Sequence, residues 1–250
     1  KWYPNKVEPL LGIFIQKHIQ SVQETNDHKV ISIYQTNTII SNVHRKVNYL
    51  NSTEEVVFYY KKGLFNKIRV LYKVWKEIQN FQAHLIHAHV MGWTSTLAYL
   101  LSNTNQTPFL ISEHWSGYHK KGYAQLKFIS KILRKKSAKK ANKIIVVSHF
   151  LKEDMLKCSI KGNYTIIENV VDGIALEIEK NKSFSFVFAG DLIQETKNVK
   201  GIIEAFSEVL KHHKDIKLEI IGDGKDLKNY KAISNRLKLN NHCLLYTSPS

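Results

Sequence analysis

The sequence is poor in cysteine and proline, has few acidic residues for its size, and contains no long apolar run. Its two cysteines, Cys158 and Cys243, lie far apart and form no C-x-x-C pair. This count and spacing argue against a disulfide framework, a zinc ribbon and a redox motif. A reducing, cytoplasmic setting is therefore expected. Because no stretch of eighteen apolar residues occurs, no membrane-spanning helix is expected either.

Acidic residues are outnumbered, since 37 Lys and Arg stand against 21 Asp and Glu, for a net charge of +16. Such a charge is typical of proteins that meet nucleic acid, an anionic membrane or phosphate-bearing substrates. The lysines are scattered along the chain, so solvated faces explain the excess equally well. With 43% hydrophobic and 11% aromatic residues, the composition indicates a folded protein with a core.

Short β-branched runs alternate with amphipathic helical stretches, which predicts an α/β fold with doubly wound parallel sheets. Strands are predicted at residues 30–34, 83–89, 108–114, 143–149, 164–169, 184–190 and 217–224. Helices are predicted at residues 13–24, 66–81, 94–101, 125–140, 149–157 and 200–212. A polar, Lys-rich segment at 173–183 is interpreted as a linker. It separates a first Rossmann-like domain, residues 1–172, from the start of a second, residues 184–242.

Polar residues stand where the predicted strands end, which is where ligands bind in doubly wound sheets. His87 and His89 close one strand, and the segment Ile-Ser-Glu-His-Trp-Ser-Gly closes the next. In that segment Glu113 and His114 can support acid–base chemistry or hydrogen-bond to ligand hydroxyls. Trp115 can stack on a ligand ring or fill the core. A metal site at His87 and His89 is not expected, because no third ligand stands at a recognised spacing.

Glycines follow two predicted strands of the second domain. The loop from Gly190 and Asp191 to Lys197 can hold a diphosphate through backbone amides and an ammonium group, although it is not a P-loop. Lys197 is otherwise one more solvated lysine. Gly222 and Gly224 form a Gly-x-Gly turn that permits close backbone approach to a ligand.

Two further segments have competing interpretations. Gly12 precedes a predicted helix, where it either lets an anion or hydroxyl approach the backbone or simply makes a turn. The basic helix from residue 128 to 143 is expected to turn Phe128, Ile129, Ile132 and Leu133 toward the domain. Its outward cations would then be Lys131, Arg134, Lys135, Lys139 and Lys140. This face is either a contact for anionic lipid or a solvated surface.

In this order the motifs resemble glycosyltransferase family 4. The similarity lies in WYPNKVEPLLGIF, HLIHAH, ISEHWSG, VVSHFLK, IIENVVD and GDLIQETKN. The resemblance implies the GT-B fold, in which two Rossmann-like domains face each other across a cleft. It also implies retaining, metal-independent transfer from a nucleoside diphosphate sugar to an acceptor hydroxyl. Cell-surface polysaccharide or glycolipid synthesis is the expected setting, with no cofactor besides the donor substrate.

The resemblance also implies residue roles. His114 would contact the transferred sugar, and Lys197 would stabilise the diphosphate with the backbone near Gly12 and Gly190. Asp191, Gly222 and Gly224 would border the donor. The acceptor side would be lined by His87, His89, Glu113 and Trp115.

The chain departs from the family pattern at four points. His84 stands where the family usually has Asp, and Val170 stands in place of a usual Gly. Asp191 replaces the common Arg of the donor loop, which leaves Lys197 as the matching cation. The later Glu-x₇-Glu motif is absent.

Both ends of the chain are interpreted as artificial. The sequence does not begin with Met, and no signal peptide is visible. Residues 243–250, CLLYTSPS, resemble a translated sequencing-library adapter, so the family sequence is expected to break after His242. The 250-residue piece would then be an inactive fragment with its first strand missing.

Two other functions fit parts of the sequence. A nucleic-acid-binding protein would explain the charge, but no recognised module is present and the aromatics do not interleave with the basic run. Nucleic acid is therefore not the expected partner. A degenerate relative acting as a scaffold at the inner membrane face would explain Asp191.

Overall fold

The computed structural model describes residues 2–5, 8, 11–22, 27–39, 41–51, 53–119, 122–169 and 184–246. The chain separates into two compact units, residues 1–172 (unit 1) and 173–250 (unit 2). The predicted linker at 173–183, together with Val170, lies outside the described residues.

Unit 1 alternates helices and strands through most of its length. Its helices are α1 (Ile13–Val22), α2 (Leu64–Phe81), α3 (Trp93–Asn105), α4 (Phe128–Lys140) and α5 (His149–Lys157). Its strands are β1 (Lys29–Gln35), β2 (Val43–Leu50), β3 (Thr53–Tyr60), β4 (Ile86–His89), β5 (Phe109–Glu113), β6 (Lys143–Val146) and β7 (Tyr164–Ile166). A 3₁₀ turn at Ser116–Tyr118 follows β5.

The described strands of unit 1 form two sheets. The four-stranded sheet has the order β4-β5-β6-β7 and is parallel throughout. The three-stranded sheet has the order β1-β3-β2, and β2 runs antiparallel to β3. Residues 51 and 52 alone join these two strands, which is too short for the crossover that parallel pairing needs. Sequence reasoning missed both β2 and β3, so the expectation of purely parallel sheets was wrong for this part.

Each sheet of unit 1 has its own apolar core. Fully buried Phe109, Ile111 and Ile144 lie at the centre of the four-stranded sheet. The smaller cluster packs the strand β3 against Val70 and Val74 of α2. Burial of the apolar side chains in the first of these cores holds the carboxyl ends of β4 and β5 in fixed positions.

Unit 2 is a smaller α/β unit. Its described elements are β8 (Phe184–Ala189), α6 (Gln194–Lys197), α7 (Val199–His212), β9 (Ile216–Ile221), α8 (Leu227–Arg236) and β10 (Cys243–Tyr246). The sheet order is β10-β9-β8 and all pairs are parallel. Ile203, Ile220 and Tyr230 are fully buried in its core.

Part of the segment interpreted as an adapter belongs to this sheet. Residues 243–246 form β10, which pairs in parallel with β9, and Cys243 is buried. Residues 247–250 lie outside the described residues. The foreign origin of 243–250 stays a prediction.

None of the helices in the described ranges combines the length and the apolar character that a bilayer crossing requires. The two cysteines, Cys158 and Cys243, are both free thiols.

Candidate functional site

The carboxyl ends of β4 and β5 bring three predicted site residues together. The ring centroids of His87 and His89 lie 4.2 Å apart, and the ring of His114 stacks on that of His89 with centroids 6.3 Å apart. Helix α1 covers this group with Phe14, 4.5 Å from His114, and His18, 5.7 Å from it. The four imidazoles therefore form one cluster, called here the histidine edge of unit 1.

His114 has unused hydrogen-bonding capacity. Both of its ring nitrogens are buried without a partner among the described residues. Burial, together with the nearby His18 and His87, lowers the pKa of His114 to about 4. The ring is thus neutral at pH 7, with one nitrogen able to donate and the other able to accept. This combination suits contact with ligand hydroxyls.

His87 and His89 differ in how they are held. The Nε2 atom of His87 lies 2.7 Å from the Ser112 hydroxyl, and burial lowers the pKa of His87 to about 4. Burial and the neighbouring imidazoles lower the pKa of His89 as well, and its Nδ1 atom has no hydrogen-bond partner in the described part of the chain. Within the described ranges, no group of three or more His, Cys, Asp or Glu side chains is arranged to hold a metal ion.

Glu113 is fully buried and ties the two strand ends together. One carboxylate oxygen accepts hydrogen bonds from the backbone amides of His114 and Trp115, each at 2.9 Å. The other accepts from the Met91 amide at 3.0 Å and from the Tyr118 hydroxyl at 2.8 Å. Burial raises the pKa of Glu113, and these donors oppose that rise. The expected acceptor-side role is corrected, because the carboxylate is enclosed and instead shapes the backbone around His114.

Arg134 belongs to the same buried network. Its guanidinium donates to the Tyr118 hydroxyl at 3.0 Å, lies 4.0 Å from the Glu113 carboxylate and stacks 5.2 Å from the Trp115 ring. The expectation that Arg134 projects outward from α4 was therefore wrong. The sequence did contain a signal for this buried role, since Arg134 is an arginine in a helix rich in lysine. A planar guanidinium suits buried pairing with a carboxylate better than an ammonium does.

The rest of α4 also differs from expectation. Phe128 and Ile129 are exposed rather than turned toward the domain, because α4 packs on α3 on its other side, where the Ser137 hydroxyl donates to that of Ser95. Lys131 is partly buried and donates to the Ala124 carbonyl. The outward cations that remain of those predicted are Lys135, Lys139 and Lys140.

Trp115 packs within the protein. Its ring meets Tyr118 edge-on at 5.0 Å, and a Cβ at Gly117 would lie only 2.1 Å from the indole. Gly117 is therefore required for this packing. Of the two interpretations of Trp115, the core-filling one matches these contacts.

The backbone after β4 is strained beside the histidine edge. Val90 has a φ of 61°, which is rare for a β-branched residue. Its amide donates to the Ser112 carbonyl at 2.7 Å, and its carbonyl accepts from the Thr94 hydroxyl. Strain of this kind persists where the surroundings hold it, and it clusters at functional sites.

Gly12 lies in a tight turn at the start of α1. Its φ is +66°, and a Cβ there would come within 2.6 Å of the Trp2 carbonyl oxygen. The turn role is therefore met in the structure, while contact with a ligand stays a prediction.

In unit 2 the glycines that were expected to border a donor hold two loops together. A Cβ at Gly222 would lie 2.0 Å from the Gly190 carbonyl oxygen, and one at Gly224 would lie 2.5 Å from that of Leu192. The Gly190 amide donates to Ile221 and the Leu192 amide to Asp223. The loops after β8 and β9 are thus in backbone contact.

Lys197 ends the short helix α6, and both it and Asp191 are exposed. Gln194 fixes this segment to α8. Its backbone amide donates to the Asp226 carboxylate at 2.9 Å, and its side-chain oxygen accepts from the Tyr230 hydroxyl at 3.1 Å. Sequence reasoning missed Gln194, since a lone glutamine in a loop carries no pattern.

Two family models match the chain. Glycosyltransferase Family 4 matches residues 26–173, which is more than half of the chain, and Glycosyl transferases group 1 matches residues 175–249. The chain belongs to glycosyltransferase family 4 and has the GT-B fold class. No curated protein matches the sequence significantly.

Solved structures share this fold at low sequence identity. Sucrose-phosphate synthase from Thermosynechococcus elongatus has a TM-score of 0.70 at 12% identity, over 96% of this chain and 65% of its own. An E. coli trehalose-6-phosphate structure bound with UDP-2-fluoro glucose has a TM-score of 0.65 at 10% identity, over 96% and 70%. S. aureus TarM, in complex with UDP, has a TM-score of 0.52 at 17% identity, over 62% and 31%. The chain thus spans between 31% and 70% of the length of these three proteins.

Proposed function

We propose that the protein transfers a hexose-type sugar from a nucleoside diphosphate to an acceptor hydroxyl, with retention of configuration. The observation that carries the proposal is His114, a neutral imidazole that follows β5 in a family 4 chain and whose two ring nitrogens have no partner among the described residues. Solved relatives in complex with UDP or a UDP-sugar analogue support the class of donor.

Each unit supplies part of this chemistry in the proposal. In unit 1, His114 hydrogen-bonds to hydroxyls of the transferred sugar, and His87 and His89 contact the acceptor. In unit 2, the ammonium of Lys197 stabilises the charge that develops on the departing diphosphate, which lies against the loop that begins at Gly190. Asp191 does not contribute to that charge stabilisation. No metal or further cofactor takes part, and the setting is cytoplasmic synthesis of a polysaccharide or glycolipid.

The test is sugar transfer by the complete protein from a panel of nucleoside diphosphate sugars, with product configuration read by NMR. His114→Ala and Lys197→Ala are each expected to lower turnover at least tenfold. Lys211→Ala is the matched control, because Lys211 is an exposed lysine of α7 paired with Glu208. Near-normal turnover in both site variants refutes the residue assignment, and an inverted product refutes retention.

A second candidate is a scaffold of the same fold without activity. The observation that favours it is exposed Asp191 where the family commonly has Arg. Asp191→Arg separates the two: a gain in donor affinity without any turnover supports the scaffold, whereas measurable turnover in the native protein excludes it.

A further inference from the structure

Helix α2 has two apolar faces, of which one is left uncovered. Val70 and Val74 are buried against the three-stranded sheet. On another side of the helix lie four residues, called here the outer stripe of α2. They are Phe65, Ile68, Tyr72 and Trp75, with exposed fractions of 87%, 57%, 54% and 37%.

The outer stripe is continuous along the helix. Its members are three, four and three positions apart, so they share one face over roughly 15 Å of helix length. Tyr72 and Trp75 stack with ring centroids 6.2 Å apart. Single exposed apolar residues are common, but a contiguous stripe with two stacked aromatics marks an interaction surface.

The charges beside the outer stripe have one sign. Arg69, Lys73 and Lys76 are exposed and occupy the adjoining row, and the Lys76 ammonium lies 5.3 Å from the Tyr72 ring. The one acidic residue of α2 is Glu77, which bonds Lys29 at 2.8 Å and Arg45 at 2.9 Å. Those two cations hold the pKa of Glu77 at about 2. The positive charge of this surface is therefore not compensated on α2.

We propose that the outer stripe of α2 inserts into the interface of an anionic lipid bilayer, with the helix lying parallel to the surface. Aliphatic and aromatic side chains with a flanking cationic row are the chemistry of an interfacial helix. Tyr and Trp rings favour the depth of the headgroups, and lysine and arginine side chains attract anionic lipid.

The charges also disfavour the main competing occupant. A two-fold pairing of α2 with a second copy is self-complementary, so it would bring two cationic rows close together. The basic helix α4 is the weaker lipid-binding candidate, since its exposed apolar residues, Phe128 and Ile129, stand in the first turn alone.

The test is sedimentation of the full chain with vesicles of phosphatidylcholine containing 30% phosphatidylglycerol, and with vesicles of phosphatidylcholine alone. Binding is expected to the anionic vesicles only. Phe65→Ser with Tyr72→Ser, and separately Lys73→Glu with Lys76→Glu, are each expected to weaken the partition coefficient at least tenfold. Circular dichroism checks that both pairs fold.

Two matched controls keep the proposal specific. Phe150→Ser removes an equally exposed aromatic, 80% accessible, from α5, and Lys139→Glu with Lys140→Glu reverses charges on α4. Both should bind vesicles as the native chain does. Unchanged binding in the α2 variants, loss confined to the α4 variant, or a dimer that Phe65→Ser dissociates without any vesicle binding would each overturn the proposal. None of these outcomes depends on glycosyl transfer.

Discussion

The Glu113 carboxylate accepts a hydrogen bond from the Met91 amide at 3.0 Å, although Glu113 ends β5 and Met91 follows β4. This bond joins the loop after β4 to the end of β5, and so it sets where His89 lies relative to His114. A carboxylate can do this because it accepts from several donors at once, whereas an amide side chain can accept only through its oxygen.

Glu113→Gln is therefore expected to lower the free energy of unfolding of unit 1 by about 2–4 kcal/mol. Either orientation of the glutamine amide sets its NH₂ group against two hydrogen-bond donors. Urea unfolding followed by tryptophan fluorescence measures the change. The control is Glu153→Gln, since Glu153 is exposed on α5 and should change stability little. Equal effects of the two substitutions contradict the bridging role.

Gly190 and Gly222 provide a second comparison, because both have a φ of +154° but different surroundings. An added Cβ at Gly190 meets only the Phe188 ring at 3.6 Å, whereas one at Gly222 meets backbone oxygen at 2.0 Å. Gly190→Ala should cost about 1–2 kcal/mol from backbone strain. Gly222→Ala should cost several kcal/mol more, because a backbone clash is added to that strain. Thermal unfolding of unit 2 measures both, and similar melting temperatures would rule out close packing of the loops.

The histidine edge predicts a dependence of stability on pH. The pKa of His114 and that of His87 are lowered to about 4, so protons bind the unfolded chain first as the pH falls. Stability is therefore complete above about pH 6.5 and is lost progressively toward pH 4. His114→Gln should flatten this slope, whereas His212→Gln, at an exposed position of α7, should leave it unchanged. Unfolding midpoints measured between about pH 4 and pH 6.5 give this slope. If His114→Gln leaves the slope unchanged, the pH dependence does not come from His114.

Substitutions at Val90 test the backbone strain at this position separately from the loss of the valine side chain. Val90→Gly and Val90→Ala both remove the isopropyl group, but only glycine adopts a φ of 61° without steric cost. The glycine variant should be more stable than the alanine variant by about 1–2 kcal/mol. Chemical denaturation of both variants decides this. An alanine variant of equal or higher stability would show that the backbone is not strained.

The parts of the molecule that follow periodic patterns could be predicted from the sequence. The strands β4 and β5 were predicted from their short apolar runs. The polar residues at the ends of those runs predicted a site, and His87, His89 and His114 do converge. The pairing of β2 with β3 was missed, because charged residues in β2 hide its alternation and no glycine marks the turn.

The roles of residues that are buried in the fold could not be predicted from their residue types alone. Glu113 and Arg134 look like surface chemistry in the sequence, yet their charges face each other in the core at 4.0 Å. Phe14 and His18 reach His114 from a helix about a hundred positions away, and nothing local to either segment indicates that approach.

The contact between Gly190 and Gly222 limits how this unit can diversify. Gly222 has no room for a side chain against the Gly190 backbone, and Gly190 has a φ of +154° that side chains rarely adopt. Both positions of this contact therefore favour glycine. Variation in these loops is then confined to the outward positions, Asp191 and Lys197 among them. Under the proposed function, libraries that aim to alter donor preference are best concentrated at those outward positions, with the glycines held constant.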